Sequence, residues 1–200
     1  MCLLVESIRI EEGKPQLLDH HNRRLNNSRA ILFGAFEKID LNDHMPDNIP
    51  NNQVLKWRVV YGKDVVSSET AVYQPKIIDK LKLVDSGITL YDHKYLERIE
   101  LNKLYDKKGD ADEIIMINAQ GEITDAYYFS LVFEKNSQYF TPQSFMLPSV
   151  MRSYLLDEKI ILQRQITIHD LYDYERIHLI NALNPLGCQY LNINTETIIY

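Results

Sequence analysis

The feature that most restricts the fold of this chain is a run of short β-forming segments between residues 113 and 142, EIIMINAQGEITDAYYFSLVFEKNSQYFTP. β-Branched and aromatic residues are frequent in it, as they are in strands, and the polar segments NAQGE and KNSQ divide it into pieces of strand length. Because these breaks are short, successive strands can pair directly, so the run predicts a meander of hairpins. We therefore expect a β-rich lobe here.

A smaller lobe is predicted ahead of this run. The segment LLVESIRI at 3–10, followed by the turn-like EEGKP, predicts a strand that opens a hairpin. Residues 54–62 and 68–74 predict two more strands. Residues 40–53 are rich in Pro, Asn and Asp and predict a loop, whereas residues 74–87 are interpreted as a connector.

One long helix is predicted within the smaller lobe. Apolar residues recur there at helical spacing, at Leu18, Leu25, Leu32 and Phe36. We expect this helix to run from Leu18 to Ile39, with Asp19 as its N-cap. The chain is therefore predicted as an α+β fold of two lobes, residues 1–85 and 86–200, with a β-barrel-like core in the second.

Three further helices are predicted in the second lobe. Residues 96–108 return to a helical period, and residues 149–160 form a second helical segment, opened by Ser149. Residues 167–177 form a third, because Thr167 and Asp170 have the spacing of a capping box.

The composition narrows the possible functions. The net charge of −6 argues against a nucleic-acid partner, since proteins that bind phosphate backbones need a clustered excess of Lys and Arg. Cys2 and Cys188 are too few for a disulfide framework. Acids interrupt the first apolar run, so we expect neither a signal peptide nor a membrane span, and a cytoplasmic protein. The six histidines lack metal-binding spacings, so no metal site is predicted.

Two basic segments carry the first candidates for chemistry. HHNRRL at 20–25 places Arg24 close to an apolar stripe, where an arginine is unusual unless it snorkels or its guanidinium meets an anion. HKYLER at 93–98 contains Lys94 just ahead of a helix-like run. A lysine in this position is ordinarily a solvated charge, so Lys94 is a catalytic candidate only in combination with the other candidate segments.

Two later segments complete the set. GDADEIIMINAQGEITD at 109–125 ends on Asp125, which leaves a β turn. In FTPQSFMLPSVMR at 140–152 a loop runs into a helix near Val150, where backbone N–H groups and the helix dipole can hold a phosphate. An arginine, a lysine, a carboxylate and a helix N-terminus together suit a phosphorylated aldehyde whose ring carries a basic nitrogen.

In this order the segments resemble the class IV, D-amino-acid-aminotransferase-like family of pyridoxal phosphate (PLP) enzymes, from about Val5 to Leu183. LDHHNRRLNNS is similar to its H-x-x-R-L helix, and GDADEIIMINAQGEITD to its G-A-D-E…G-x-[VI]-T-E. YFTP, LPSVMR and INAL resemble its Y-T-P, G-[IV]-x-R and T-N-[SA]-L. The resemblance implies a two-lobed class IV fold with a small α/β N-terminal lobe, a homodimer, and PLP in the cleft between the lobes.

The resemblance also implies roles for individual residues. Lys94 matches the Schiff-base lysine, which the substrate amine displaces and which then carries the proton. The cofactor-binding residues implied are Arg24 for the phosphate, Asp125 for the pyridine nitrogen, the amides of Val150 and Met151 for the phosphate, and Ala182 close to it. The candidates for binding substrate carboxylates are Arg9, Arg58 and Arg98.

Four departures from the family pattern stand out. Asp125 occupies the position of the usual glutamate, Ser149 that of a glycine and Ser130 that of an asparagine. The sequence also starts at what is normally the second strand of the family. These differences leave room for altered specificity or for lost activity.

The opening LLVESIRIEEGKPQLL resembles the F-E-T-[IAM]-R-[IV]-x-x-G opening of lyases that make 4-aminobenzoate. The resemblance therefore implies cleavage of 4-amino-4-deoxychorismate to 4-aminobenzoate and pyruvate, in folate biosynthesis, with aminodeoxychorismate synthase as an expected partner. The alternative is an aminotransferase for a branched-chain or D-amino acid. A non-catalytic binding protein on the same scaffold is a third hypothesis.

Overall fold

A computed structural model describes residues 2–87 and 91–200 of the chain. The chain divides into two compact units, residues 1–74 with 93–97 and residues 75–92 with 98–200. The predicted boundary near residue 85 differs from this division. The short segment that carries Lys94 belongs to the first unit, although it was expected in the second lobe.

The first unit is a four-stranded antiparallel sheet with one helix, α1 (Leu18–Phe33). The sheet has the order β2-β1-β3-β4, with β1 (Leu4–Glu11), β2 (Lys14–Pro15), β3 (Leu55–Tyr61) and β4 (Val65–Val72). Every second residue of β1 is fully buried, as expected for a strand with one face on a core. The core residues include Leu4, Ile8, Ile10, Leu25 and Trp57.

Helix α1 is shorter than predicted. It follows Leu17, which adopts a left-handed conformation, so Asp19 lies in the first turn and is not the N-cap. It stops at Gly34, whose φ of 61° suits a glycine at a helix C-terminus, and the amide of Gly34 donates to the carbonyl of Ala30. The predicted apolar stripe is wrong beyond Leu25, because Phe36 lies past the helix and is 81% exposed.

Residues 93–97 add to the open edge of β1. Strand β2 covers β1 only at Ile10 and Glu11. At the other end of β1, the amide of Val5 donates to the carbonyl of Lys94 and the amide of Leu96 donates to the carbonyl of Leu3. These bonds join Lys94 to the sheet of the first unit across almost 90 residues of sequence.

The second unit is built on a nine-stranded sheet with two helices in its described part. The main path has the order β10-β9-β8-β7-β6-β5-β13, and β11 pairs with β8 and β12. The helices are α2 (Ile99–Tyr105) and α3 (Val150–Asp157). The strands are β5 (Leu81–Gly87), β6 (Glu113–Asn118), β7 (Ile123–Ala126), β8 (Ser130–Lys135), β9 (Gln138–Pro142), β10 (Leu162–Arg164), β11 (Arg176–Ile180), β12 (Tyr190–Asn192) and β13 (Ile198–Ile199). The predicted α+β class and the β6 to β9 meander are confirmed.

Two predictions in this unit are wrong. The segment interpreted as a connector contains β5, which pairs in parallel with β6. Residues 167–177 form no α-helix. Thr167 does donate to the carboxylate of Asp170, but the chain continues through a single 3-10 turn into β11. In residues 2–87 and 91–200, no helix has both the length and the apolar content needed to cross a membrane.

Candidate functional site

Lys94 lies half-buried in the first unit, and its backbone is held by β1. Its carbonyl accepts from the amide of Val5 at 3.0 Å. The preceding residue, His93, is buried, and its Nδ1 lies 3.1 Å from the hydroxyl of Ser28 on α1. The lysine therefore extends from a backbone position fixed by both the sheet and the helix of this unit.

A buried ionic cluster forms on the sheet-facing side of α1. Glu6 of β1 is 0% exposed and accepts from Nε of Arg24 at 2.9 Å and from Nη2 of the same guanidinium. Nδ1 of His21, also fully buried, lies 2.6 Å from Oε2 of Glu6. The predicted phosphate-binding arginine is thus part of a three-residue cluster, which we call the Glu6 cluster: Glu6, His21 and Arg24.

The charges of the Glu6 cluster follow from its contacts. Burial alone would raise the pKa of Glu6, but Arg24 and the hydrogen bond from His21 hold this pKa far below its ordinary value. Burial lowers the pKa of His21, helped by the nearby charges of Arg24 and Lys94 and opposed by Glu6. At neutral pH the cluster therefore contains one carboxylate, one guanidinium and a neutral imidazole.

Asp125 lies in the second unit, at the end of β7, where the chain turns into β8. Its backbone pairs with Ser130, and the Ser130 hydroxyl contacts its carboxylate. Oδ2 of Asp125 accepts from the amide of Met146 at 2.6 Å and from that of Leu147 at 3.4 Å. Burial nevertheless raises the pKa of Asp125 to about 6. A buried carboxylate that is costly to ionise suits a cationic partner such as a pyridinium nitrogen.

The start of α3 follows the same loop. Ser149 precedes the helix in an extended conformation and its hydroxyl makes no capping bond. Val150 and Met151 are buried, and amides in the first turn of a helix have no acceptor within the helix. Arg152 of this helix donates to Thr141 Oγ1 and to the carbonyl of Pro142.

The predicted segment INAL forms a tight turn. Asn181 pairs with Asn184, and the Asn181 side chain accepts from the amides of Leu183 and Asn184. Ala182 lies at the tip of this turn. The side-chain amide of Asn181 also donates to the carbonyl of Tyr128, three residues after Asp125. The turn is therefore tied to the β7–β8 hairpin that carries the predicted pyridine-binding carboxylate.

The three predicted substrate-binding arginines differ in their partners. Arg9 pairs with Glu11 through Nε and Nη2, and Arg58 pairs with Glu69 on the next strand. Arg98, by contrast, has no carboxylate partner among the residues that the structure describes.

Arg98 is held by uncharged groups. Its Nε donates to the hydroxyl of Tyr91 at 3.1 Å and its Nη2 to the carbonyl of Tyr127 at 3.0 Å. Its Cζ lies 4.6 Å from the ring centre of Tyr127 and 5.3 Å from that of Tyr128. Cation–π contacts and neutral acceptors fix the guanidinium without cancelling its charge.

The predicted cofactor-binding residues form two groups, one in each unit. Arg24 and Lys94 lie in the first, and both act on the pKa of His21. Asp125, the α3 start and the Ala182 turn lie in the second. The chemistry of these groups fits PLP: an amine, a buried carboxylate, a guanidinium and helix-start amides. No group of His, Cys, Asp or Glu side chains within 2–87 and 91–200 is arranged to hold a metal ion.

Two buried charged residues, Glu6 and Arg152, interact with the predicted cofactor-binding residues but were missed from the sequence. Glu6 stands between Leu4 and Ile8 in a row of every second residue, so strand periodicity places it on the buried face, and this signal was available. Arg152 was included in a family motif but received no role. Its charge acts on Asp125 and lowers the pKa of that carboxyl, although less than burial raises it.

Comparisons with known proteins identify the family of the chain. The family model for amino-transferase class IV matches residues 3–187. The chain is 30% identical over 189 residues to an uncharacterized protein of Haemophilus influenzae, covering 93% of this chain and all of that one. It is 32% identical to the solved structure of a candidate 4-amino-4-deoxychorismate lyase from Haemophilus somnus, with a TM-score of 0.85 over 93% of this chain and 98% of that one.

A more distant solved structure shares the fold. It is a hypothetical aminotransferase from Mycobacterium tuberculosis in its PLP-bound form, 14% identical, with a TM-score of 0.75 over 98% of this chain and 84% of the other. The family match spans nearly the whole chain and includes every residue of the predicted cofactor set. The chain belongs to the class IV aminotransferase family of PLP-dependent enzymes.

Proposed function

We propose that this enzyme is a PLP-dependent lyase that cleaves 4-amino-4-deoxychorismate to 4-aminobenzoate and pyruvate. The observation that carries the proposal is Arg98, a guanidinium without a carboxylate partner in the described chain, held between tyrosine rings. A substrate with a ring and carboxylates would supply both the missing anion and a surface to pack on the exposed face of Tyr128. The similarity to the candidate lyase of Haemophilus somnus supports the same reaction.

The proposed roles follow from the chemistry of the residues. Arg24, the amides of Val150 and Met151, and the turn at Ala182 would bind the cofactor phosphate, and Asp125 would pair with the ring nitrogen. The bound cofactor supplies an electron sink for charge that develops on the substrate. Lys94 would bind the cofactor aldehyde, yield that position to the substrate amine, and then act as the base.

The reaction balances without a second substrate. Lys94 would take the proton from the ring carbon that bears the amino group. The bond between the ring and the enolpyruvyl oxygen would break and the ring would become aromatic. The released enolate would take up one proton on carbon to become pyruvate, which balances the proton taken by Lys94. Arg98 would hold a substrate carboxylate while these bonds change.

A lyase and an aminotransferase differ in whether they need an acceptor. The purified protein loaded with PLP is incubated with 4-amino-4-deoxychorismate, with and without a 2-oxo acid, and release of 4-aminobenzoate is measured by fluorescence. The proposal requires release without the acceptor and its loss in Lys94→Ala. Turnover of branched-chain or D-amino acids that depends on a 2-oxo acid, without lyase activity, would instead establish the aminotransferase.

Arg98→Gln tests the substrate contact. Loss of a charged hydrogen bond should raise KM by about tenfold or more, with a smaller change in kcat. Arg58→Gln is the matched control, because Arg58 is a second predicted contact but already pairs with Glu69. A KM that stays at the wild-type value in Arg98→Gln, or that rises equally in both variants, would contradict the proposed role.

A further inference from the structure

We propose that Glu6 is a positioning residue: its carboxylate, held by His21, fixes the guanidinium of Arg24 in the orientation that receives the cofactor phosphate. This inference rests on the proposed function, because it takes PLP as the ligand of Arg24. Glu6 lies in the opening segment that resembles the 4-aminobenzoate-forming lyases, where it received no role of its own, and its role is inferred from three features of the first unit.

The first feature is the double contact between Glu6 and Arg24. Oε1 of Glu6 accepts from Nε, and Oε2 accepts from Nη2 of the same guanidinium. Two parallel hydrogen bonds between planar groups fix the plane of the guanidinium as well as its position. The Glu6 side chain is 0% exposed and that of Arg24 is 10% exposed, so water competes little with this pairing.

The second feature is the hydrogen bond from His21. An ionised carboxylate can only accept, so Nδ1 of His21 must carry the hydrogen in its 2.6 Å contact with Glu6. Nε2 of the neutral ring is then unprotonated, and it has no hydrogen-bond partner among the described residues. His21 thus restrains Glu6 from the side without adding a second positive charge that would compete with Arg24.

The third feature is the strand on which Glu6 lies. Its neighbour Val5 donates its amide to the carbonyl of Lys94, so adjacent residues of β1 hold the backbone of Lys94 and the side chain of Arg24. Strand β1 is itself paired with β3 along its length, from Leu4 to Ile10. A single rigid strand therefore sets the positions of the amine-bearing residue and of the guanidinium together, which is how a supporting residue preorganises a binding site.

The test compares two ligands that differ only in the phosphate. Cofactor-free wild type, Glu6→Gln and Glu6→Asp are titrated with PLP and with pyridoxal, and binding is followed by the near-visible absorption band and by the mass of the borohydride-reduced adduct. Glu11→Gln is the matched control, since Glu11 lies on the same strand and pairs with Arg9 at the surface. The quantity compared is the ratio of the two dissociation constants.

We expect wild type to prefer PLP strongly, and Glu6→Gln to reduce this preference by about tenfold or more, through weaker binding of PLP alone. Glu6→Asp should reduce it less, because the charge remains but the carboxylate is drawn back. Glu11→Gln should leave it unchanged. Circular dichroism identifies any variant that fails to fold. If Glu6→Gln does not fold, the PLP preference of Glu6→Asp tests the inference in its place.

An unchanged or increased preference in folded Glu6 variants would overturn the inference while leaving the proposed function intact. Equal losses of PLP and pyridoxal binding are one form of this unchanged preference, and they would show that the substitution has a general structural effect. A wild type that binds PLP no better than pyridoxal would refute phosphate binding at Arg24, and the positioning role with it.

Discussion

Glu113 offers a direct test of how the burial of a carboxyl group makes the stability of the protein depend on pH. It is 0% exposed at the start of β6; its Oε1 accepts from the amides of Ile114 and Tyr127, whereas its Oε2 has no partner within the described chain. Burial raises the pKa of Glu113 from 4.5 to about 7, against the backbone hydrogen bonds. Between these values the unfolded chain has released the proton and the folded chain keeps it, so stability falls as pH rises.

The magnitude follows from this difference in pKa. One pH unit corresponds to about 1.4 kcal/mol, so Glu113 should cost the folded state about 3 kcal/mol by pH 8 relative to pH 4. Glu113→Gln removes the titration. The amide N–H of the glutamine finds no acceptor at this position, but neither does the O–H of the protonated Glu113. The variant should therefore match wild type near pH 4 and be the more stable protein by about 3 kcal/mol at pH 8.

The assay is urea denaturation of both proteins across this pH range, with the difference in unfolding free energy plotted against pH. Glu122→Gln serves as the control of opposite sign, because hydrogen bonds from Ser144, Asn118 and Gln165 lower the pKa of Glu122. Its carboxylate stabilises the fold at neutral pH and loses that effect as pH falls. A difference between Glu113→Gln and wild type that does not vary with pH would refute the reasoning.

Two further substitutions probe separate contacts. Arg152→Met should lower the unfolding free energy by about 2 kcal/mol, measured by urea denaturation, because it leaves the carbonyl of Pro142 and the hydroxyl of Thr141 without their buried donor; an unchanged midpoint would contradict this. Gly34→Ala should cost about 1 kcal/mol, seen as a lower thermal midpoint, since an L-residue must then adopt the left-handed conformation at the end of α1. Apart from the adjacent residues, no atom of the described chain lies within 4 Å of the added methyl group, so a larger loss would point to a cause other than conformation.

The regular elements were predictable where sequence periodicity and burial agree. The β6 to β9 meander was found because its β-rich segments are separated by polar turns. The helix expected after Thr167 was not found, although the local hydrogen bonds to Asp170 exist. Such bonds close a turn in many contexts, and here β11 pairs with β8 and draws the following residues into the sheet. Distant pairing of this kind leaves no mark in the local sequence.

The candidate site shows the same limit. Arg24, Lys94 and Asp125 could be selected from motif order, because each lies in a recognisable segment. Arg24 alone could not reveal that Glu6 holds it, since the two residues lie 18 positions apart on different elements. Nor could sequence separate Arg98 from Arg9 and Arg58. That distinction depends on which arginine meets a carboxylate in the folded chain.

The attachment of Lys94 to β1 has a consequence for biosynthesis. Residues 1–74 leave the ribosome long before residues 93–97, yet both are needed to complete the first unit. Residues 1–74 must therefore wait, with one end of β1 uncovered, until residues 93–97 have also been synthesised. A fragment that ends at residue 74 would lack Lys94 and would expose the edge of β1. A single cleavage of the chain should therefore not yield either unit as a complete, separately folded fragment.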